Sequence, residues 1–356
     1  MYIDFYGRKT VDRPSTGHFE KTSDGIWISN NPGLPTDDIM SSLEDINLKF
    51  IQGIFSDPSE FWDALATFDF DLLQAGLDPE AHAGRDQFNE FFKSASGDAQ
   101  KLIFYYSVRG YNHAAQNMLN HVIISLGDAY ELLSRENLEE KVPLEVQSYG
   151  GEHYRNLTSP TCHRIWERLG FCIEKIISFL DFLSKYIAEI SATDRRKITG
   201  RLNTSSVTFG GWRKIALAKD TALSNLSDDL RMLTVLRDET VHNGTIDHFS
   251  RVYEHVINSR VHARFLLIPD HDGGRILTAA GRRRFFRQDN HLNVILPAAI
   301  HRVLDDTLLS LRTIEDRMPT IWTDPSAYYE RHKEVHEALD AAGKIGAFVK
   351  FSAKNS

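Results

Sequence analysis

Hydrophobic side chains recur every three or four residues along most of this 356-residue chain, which is the spacing of amphipathic helices. The longest stripe steps from Ile165 to Ile190 and predicts a helix over about residues 161–190. Similar stripes predict three more long helical stretches, over about residues 98–134, over 213–242 in one or two pieces, and over 295–318. Pro297 fits the first turn of the last of these, where a proline removes no hydrogen bond. The pattern therefore predicts a mainly α core.

The segments around these helices have other patterns. Apolar and polar residues alternate around Asp24-Gly25, which predicts a hairpin near the N-terminus. Asp57-Pro58 predicts a helix start, because aspartate caps a helix and proline fits its first turn. Two short apolar runs flank Asp272-Gly273-Gly274 and predict a small β-hairpin inserted near residues 262–280. We expect three segments: an N-terminal cap with a short hairpin and helices (1–95), a helical core with the hairpin insertion (96–318), and a C-terminal helix and tail (319–356).

Composition and charge restrict the function classes. Hydrophobic residues make up 42% and charged residues 25% of the chain, which is ordinary for a globular protein. The net charge of −8 argues against a protein that coats nucleic acid without specificity, but it allows a local basic patch. Cys162 and Cys172 are too far apart on one helix to form a disulfide. With no signal peptide and no membrane-length apolar stretch in the sequence, we expect a cytoplasmic protein that does not bind membranes.

One short stretch, LRDETVHNGT at 236–245, carries the sharpest chemical signal. Arg237 is followed after four residues by His242, and Asn243-Gly244 comes directly behind. Other arginine–histidine pairs of similar spacing lack this context: Arg13 with His18, Arg284 with His291, and Arg331 with His336. Only the pair at 237 and 242 ends a strongly apolar predicted helix and is closed by a helix-stop sequence.

The segment LRDETVHNG resembles the signature of the HEPN (higher eukaryote and prokaryote nucleotide-binding) superfamily. Asp238 departs from that signature, where asparagine is commoner. The resemblance implies an up-and-down helical bundle, a homodimer with the motif at its interface, and metal-independent RNA cleavage without a cofactor. It also implies a role in a toxin–antitoxin or antiviral defence system, with a partner or inhibitor protein. Some members of the superfamily only bind, so the alternative is a non-catalytic scaffold for RNA or protein.

The residue types fit such an activity. Histidine is the residue type best suited to move a proton, so His242 could do so, while the planar fork of Arg237 matches the oxygens of a phosphate. Asp238 could orient a side chain of the motif, and Asn243 could hold a phosphate or cap the helix. On an ideal helix, Arg237 and His242 would lie about 140° apart. Either the arginine curls round, or the helix ends near residues 240–241.

The stretch GRRRFFR at 281–287 is the densest basic cluster. Four arginines around two phenylalanines could grip RNA by phosphate contacts and stacking; these are Arg282, Arg283, Arg284 and Arg287. The alternative is a solvated turn with both phenylalanines in the core. His332 and His336 share a helix face, but no third ligand is evident, so we expect no metal site.

Overall fold

The computed structural model describes residues 2–3, 5–6, 9–11, 19–21, 27–29, 32–95, 97–135, 138, 146–149, 152–192, 198, 200–258, 260–272 and 274–341. In the first half, the elements are β1 (Tyr2–Ile3), β2 (Lys9–Thr10), β3 (Phe19–Lys21), β4 (Trp27–Ser29), α1 (Thr36–Ile54), α2 (Pro58–Thr67), α3 (Phe70–Gln74), α4 (Arg85–Ser94), α5 (Asp98–Ser134), β5 (Val146–Tyr149), β6 (Glu152–Leu157) and α6 (Pro160–Ala192). There follow two 3-10 turns (Phe209–Lys214 and Ala222–Ser224), α7 (Asp228–Asn243), β7 (Val252–Ile257), β8 (Arg260–Phe265), β9 (Leu267–Pro269), β10 (His271–Asp272), β11 (Arg275–Ile276), β12 (Phe286–His291), α8 (Leu292–Arg317) and α9 (Ser326–Ala341). The protein is mainly helical, as its sequence pattern predicts.

The chain forms two compact units. The first comprises Met1–Leu43, Tyr111–Ser191 and Thr204–Ile314, and the second comprises Glu44–Gly110, Ala192–Asn203 and Glu315–Ser356. Each of the three predicted segments, with boundaries at residues 95 and 318, is one continuous stretch of the chain, whereas each compact unit combines several stretches. The three-segment division stays a prediction. Within the described part of the chain, no helix is both long and apolar enough to cross a membrane.

Helix α6 is the centre of the first unit. It confirms the predicted helix at 161–190, and its apolar stripe is buried. The thiol of Cys172 lies 3.7 Å from the backbone oxygen of Val122 in α5. Gly170 faces α7 so closely that a Cβ there would lie 3.5 Å from the methyl group of Thr240. This packing fixes the position of α7, which carries the arginine–histidine motif.

The second unit has an aromatic core. The rings of Phe55 and Phe61 lie 5.3 Å apart, and those of Phe61 and Tyr105 lie 5.7 Å apart. Trp322 donates its indole N–H to the backbone oxygen of Phe55 at 3.1 Å. Asp57 accepts from the backbone N–H of Glu60 at 2.9 Å, so the predicted helix start is confirmed.

Helix α7 is shorter than the predicted helix over about 213–242. It begins at Asp228, where the hydroxyl of Ser227 accepts from the backbone N–H of Leu230 at 3.3 Å. Upstream, the hydroxyl of Thr221 donates to the backbone oxygen of Ala218 at 2.8 Å. Such local side-chain bonds compete with helical ones, so this apolar stretch forms 3-10 turns instead.

The first-turn position predicted for Pro297 is wrong. Helix α8 begins at Leu292, so Pro297 lies inside it. The missing N–H of the proline leaves the backbone oxygen of Asn293 without its helical donor. The hydroxyl of Tyr130 donates to that oxygen instead. A tertiary contact therefore compensates for a proline that the sequence pattern places at a helix start.

The β-structure is larger than the sequence pattern predicts. The hairpin inserted near 262–280 is confirmed as β10 paired with β11, although Gly273 lies outside the described residues. Beyond it, β5, β6, β7 and β8 form a four-stranded antiparallel sheet in that order, and β9 pairs with β12. The N-terminal hairpin is present as β3 and β4, although Asp24-Gly25 lies outside the described residues. It belongs to a four-stranded sheet in the order β2-β1-β4-β3.

Candidate nucleic-acid interface

The motif lies at the C-terminal end of α7. The helix ends at Asn243, and Gly244 follows with a φ of +83°. The alternative end near residues 240–241 is therefore wrong, and Arg237 and His242 lie on the same helix. On a regular helix, five residues separate two side chains by about 140° around the axis.

Arg237 is paired with its neighbour in the sequence. Its Nη1 donates to Oδ1 of Asp238 at 3.0 Å, and its side chain is 36% exposed. Asp238 thus compensates part of the charge of Arg237. His242 is exposed to solvent.

A cleft of about 550 Å³ opens beside the end of this helix. It is lined by residues of α7, of the loop that follows it, and of the basic turn: Glu239, Asn243, Ile246, Asp247, His248, Phe249, Arg251, Gly281, Arg283, Arg284 and Phe286. Asn243, Arg283 and Arg284 are residues that the sequence singles out. Five other residues that it singles out do not belong to this described lining: Arg237, Asp238, His242, Arg282 and Arg287.

Glu239 joins the basic turn to the motif helix. Its carboxylate is buried and accepts from Arg283 Nη2 at 2.9 Å and from Arg284 Nη2 at 3.5 Å. The side chain of Arg283 is 60% exposed, whereas that of Arg284 is only 12% exposed. Sequence reasoning missed Glu239 because it stands among the four intervening residues of the motif. The helical spacing of Glu239 and Asn243, four apart, is the signal that could have found it.

His248 brings a second histidine close to the motif. Its Nε2 lies 2.9 Å from Nη1 of Arg284. The guanidinium can only donate in such a contact, because it has no acceptor atom. Sequence reasoning expected the second histidine of a composite site to come from another copy of the chain. The structure offers one within the same unit.

The loop after α7 is held by a buried carboxylate. Asp247 accepts from the backbone N–H groups of Phe249 and Arg251, both at 3.0 Å. The ring of Phe249 is 60% exposed, and the guanidinium of Arg251 lies 4.5 Å from its centre. The hydrogen bond that Arg251 donates to the hydroxyl of Tyr253, together with the nearby charge of Asp247, raises the pKa of Arg251. Arg251 therefore stays charged, and the cleft has three arginines against two carboxylates.

The rest of the basic cluster is more open. Arg282 is exposed, and Arg287 binds Asp270 through Nε at 3.1 Å with a side chain that is 62% exposed. Phe285 and Phe286 are 38% and 40% exposed, so the alternative that places both rings in the core is wrong.

The remaining arginine–histidine pairs of the sequence are described only in part. Arg331 binds Glu334, while Arg13, His18 and the side chain of His336 lie outside the described residues. In the described part of the chain, no three His, Cys, Asp or Glu side chains are grouped as a metal ion would require. No protein-family model, curated protein or solved structure matches this chain.

Proposed function

We propose that this protein is a metal-independent endoribonuclease of HEPN type that acts as a homodimer. One observation carries the proposal: Asn243, at the end of the motif helix, lines the same cleft as Arg283 and Arg284. Asn243 and Arg283 are 40 residues apart in sequence, and nothing in the helical pattern requires them to meet. A cleft with several arginines beside exposed phenylalanines suits the phosphates and bases of RNA.

The motif offers a base and a cation for the chemistry, and a second copy of the chain would offer the acid. The 2′-hydroxyl of the RNA attacks the adjacent phosphorus, and the bond to the 5′-oxygen breaks, which leaves a 2′,3′-cyclic phosphate. His242 accepts the proton of the attacking hydroxyl. Arg237 leaves Asp238 and stabilises the pentavalent phosphate by charge. The leaving oxygen takes its proton from a second acid, which is His242 of another copy in the family arrangement.

Dimerisation is part of the proposal. Val241 and Phe249, beside the motif, are 45% and 60% exposed. Apolar side chains in such a place fit a surface that a second copy covers. The family resemblance adds two further parts to the proposal. The first is an up-and-down arrangement of helices around this interface. The second is a cytoplasmic role in toxin–antitoxin or antiviral defence, with a partner or inhibitor protein.

A second function has its own support. The contact of Arg237 with Asp238, and those of Arg283 and Arg284 with Glu239, pair the cations with carboxylates. This pairing favours a non-catalytic scaffold that binds RNA or protein through the same surface.

Cleavage of total RNA in EDTA separates the two functions. We expect products with 2′,3′-cyclic ends, and a dimer in light scattering at micromolar concentration. His242→Ala should slow cleavage about 10²–10⁴-fold, since it removes proton transfer. Arg237→Ala should slow it by a comparable factor, and Arg237→Lys should restore only part of the rate, because an ammonium lacks the planar fork.

His301→Ala is the matched control, since this exposed histidine on α8 pairs with Asp305 at 3.4 Å, outside the motif and the cleft lining. Cleavage that requires added magnesium, or that persists undiminished in His242→Ala, would show the nuclease proposal to be wrong. RNA binding without cleavage by the native protein would favour the scaffold.

A further inference from the structure

Six aromatic rings contact one another on one side of the β6–β8 sheet; five belong to its strands, and His291 comes from the end of β12. Tyr154 stacks on His255 with ring centres 4.6 Å apart, Tyr253 stacks on Phe265 at 5.4 Å, and Phe265 stacks on His291 at 4.1 Å. Tyr154 also meets Phe265 edge-on at 6.1 Å, and His262 meets His255 edge-on at 5.7 Å. We call these six residues the ring layer.

Strand alternation explains why the rings share a face. In β7, Val252, Glu254 and Val256 are buried, and the residues between them point the other way. In the register, Tyr154 lies opposite His255, and Phe265 lies opposite Tyr253. The register between β7 and β8 shifts after His255, and such irregularities re-aim side chains. This accounts for the contact of His262 with His255.

The buried face of the same sheet carries ion pairs that join it to the helices. Glu254 accepts from Arg155 at 2.5 Å and from Arg264 at 2.8 Å, and its side chain is 1% exposed. Arg264 also donates to the backbone oxygen of Leu133 at the end of α5, at 2.8 Å. These contacts tie the sheet to the helices. Within the ring layer, Phe265 is buried, whereas Tyr154 is 42% exposed and His262 is exposed, so these two rings form the part that a ligand can reach.

The ring layer continues the candidate cleft. Arg251 lines the cleft, and its Nη1 donates to the hydroxyl of Tyr253 at 3.5 Å. At the other end of the sheet, Arg260 is exposed and lies opposite Ile257, on the face of Tyr253 and His255. A chain of phosphates that leaves the cleft at Arg251 therefore meets rings next and then a second cation.

We infer that the ring layer is a stacking platform for the unpaired bases of RNA bound in the cleft. This inference rests on the proposed function, which supplies RNA as the ligand, and it specifies that the RNA is single-stranded. Duplex RNA hides the faces of its bases, whereas a single strand can lay them on exposed rings. Stacking of this kind tolerates any sequence, because every base has a π-face. The two flanking arginines complement a phosphate backbone better than an apolar protein surface.

Binding of matched RNAs tests the platform. The probes are a 2′-O-methyl single strand, which lacks the attacking hydroxyl, and its duplex, both measured by fluorescence anisotropy. Tyr154→Leu should weaken binding of the single strand about 5- to 100-fold, the range for loss of one stacked base. Tyr154→Phe should keep native affinity, and the duplex should bind equally to all variants. Tyr329→Leu is the matched control, because this tyrosine on α9 is 54% exposed in the second unit.

A spectroscopic measurement covers the case in which Tyr154→Leu folds poorly. A 2-aminopurine placed in the single strand should lose fluorescence on binding to the native protein, and should recover it with His262→Leu. Unchanged affinity and unchanged fluorescence in the two leucine variants would overturn the platform. So would an equal loss for single strand and duplex, or a loss of self-association without any effect on RNA.

Different results would contradict the platform and the nuclease proposals. Cleavage that depends on His242, together with ring-independent binding, would keep the nuclease and overturn the platform. Ring-dependent binding of the single strand without cleavage would keep the platform and overturn the nuclease.

Discussion

The substitution Glu239→Gln separates the two roles of the buried carboxylate in the candidate cleft. The side chain of Glu239 is 4% exposed and binds both Arg283 and Arg284. Glutamine keeps the volume but removes the charge, and its amide N–H group would face a guanidinium that can only donate. We expect lower stability and, at the same time, stronger RNA binding.

The size of the stability loss follows from exposure. The pair with Arg283 involves a 60% exposed arginine, so solvent screening reduces it to roughly 0–1 kcal/mol. Arg284 is 12% exposed, but it keeps its 2.9 Å contact with His248 when the carboxylate charge is lost. We therefore expect a total of about 1–2 kcal/mol, well below the ~3–5 kcal/mol for breaking a fully buried pair. Glu239 belongs to the first compact unit, and for a unit of that size the loss lowers the melting temperature by roughly 2–8 °C.

Whereas the substitution lowers stability, it should raise the affinity for RNA. Without the charge of Glu239, the exposed Arg283 is available to phosphates, and the charge of Arg284 in the cleft is no longer compensated. The slope of log affinity against log salt should steepen by about 0.7 for each phosphate newly contacted on a single strand. Anisotropy titrations between 50 and 200 mM salt, with the non-cleavable strand, measure this slope directly.

Glu254→Gln is a control matched in charge, burial and surroundings. Glu254 is also a buried carboxylate between two arginines in the first unit, but it does not line the cleft. It should destabilise the protein more than Glu239→Gln, because Arg264 is only 11% exposed and also caps α5. It should leave the salt slope unchanged. Weaker RNA binding by Glu239→Gln, or an equal rise in affinity for both variants, would refute the reasoning.

Two further predictions concern the helices around the site. Gly244→Ala should lower the free energy of unfolding by about 1–3 kcal/mol in urea titrations, because its φ of +83° strains any residue with a Cβ; an unchanged midpoint would mean that the helix end rearranges freely. Burial raises the pKa of the thiols of Cys162 and Cys172, so neither should react with a disulfide reagent at pH 8 until the protein is unfolded. Rapid reaction of the native protein would contradict the burial of both side chains.

The sequence by itself determines most of the helical framework. The apolar stripes of α5 and α6, and the aspartate cap of α2, act within a few residues of the chain. Local patterns of this kind predict where helices lie, because hydrogen bonds of the helix and its caps span only three or four residues. The same patterns fail where side chains compete with the helix, as before Asp228, or where a distant donor replaces a missing one, as Tyr130 does for Pro297.

Only the tertiary structure decides the composition of the candidate site. Glu239 and Arg283 are 44 residues apart, and Arg284 and His248 are 36 residues apart. No periodicity links such positions, because their contacts depend on how α7, its following loop and the basic turn pack together. The same holds for the ring layer. Tyr154 on β6 stacks on His255 on β7, although helices α6 and α7 lie between these two strands in the sequence. The sequence supplies the arginines, histidines and rings, and long-range packing determines which of them share a surface.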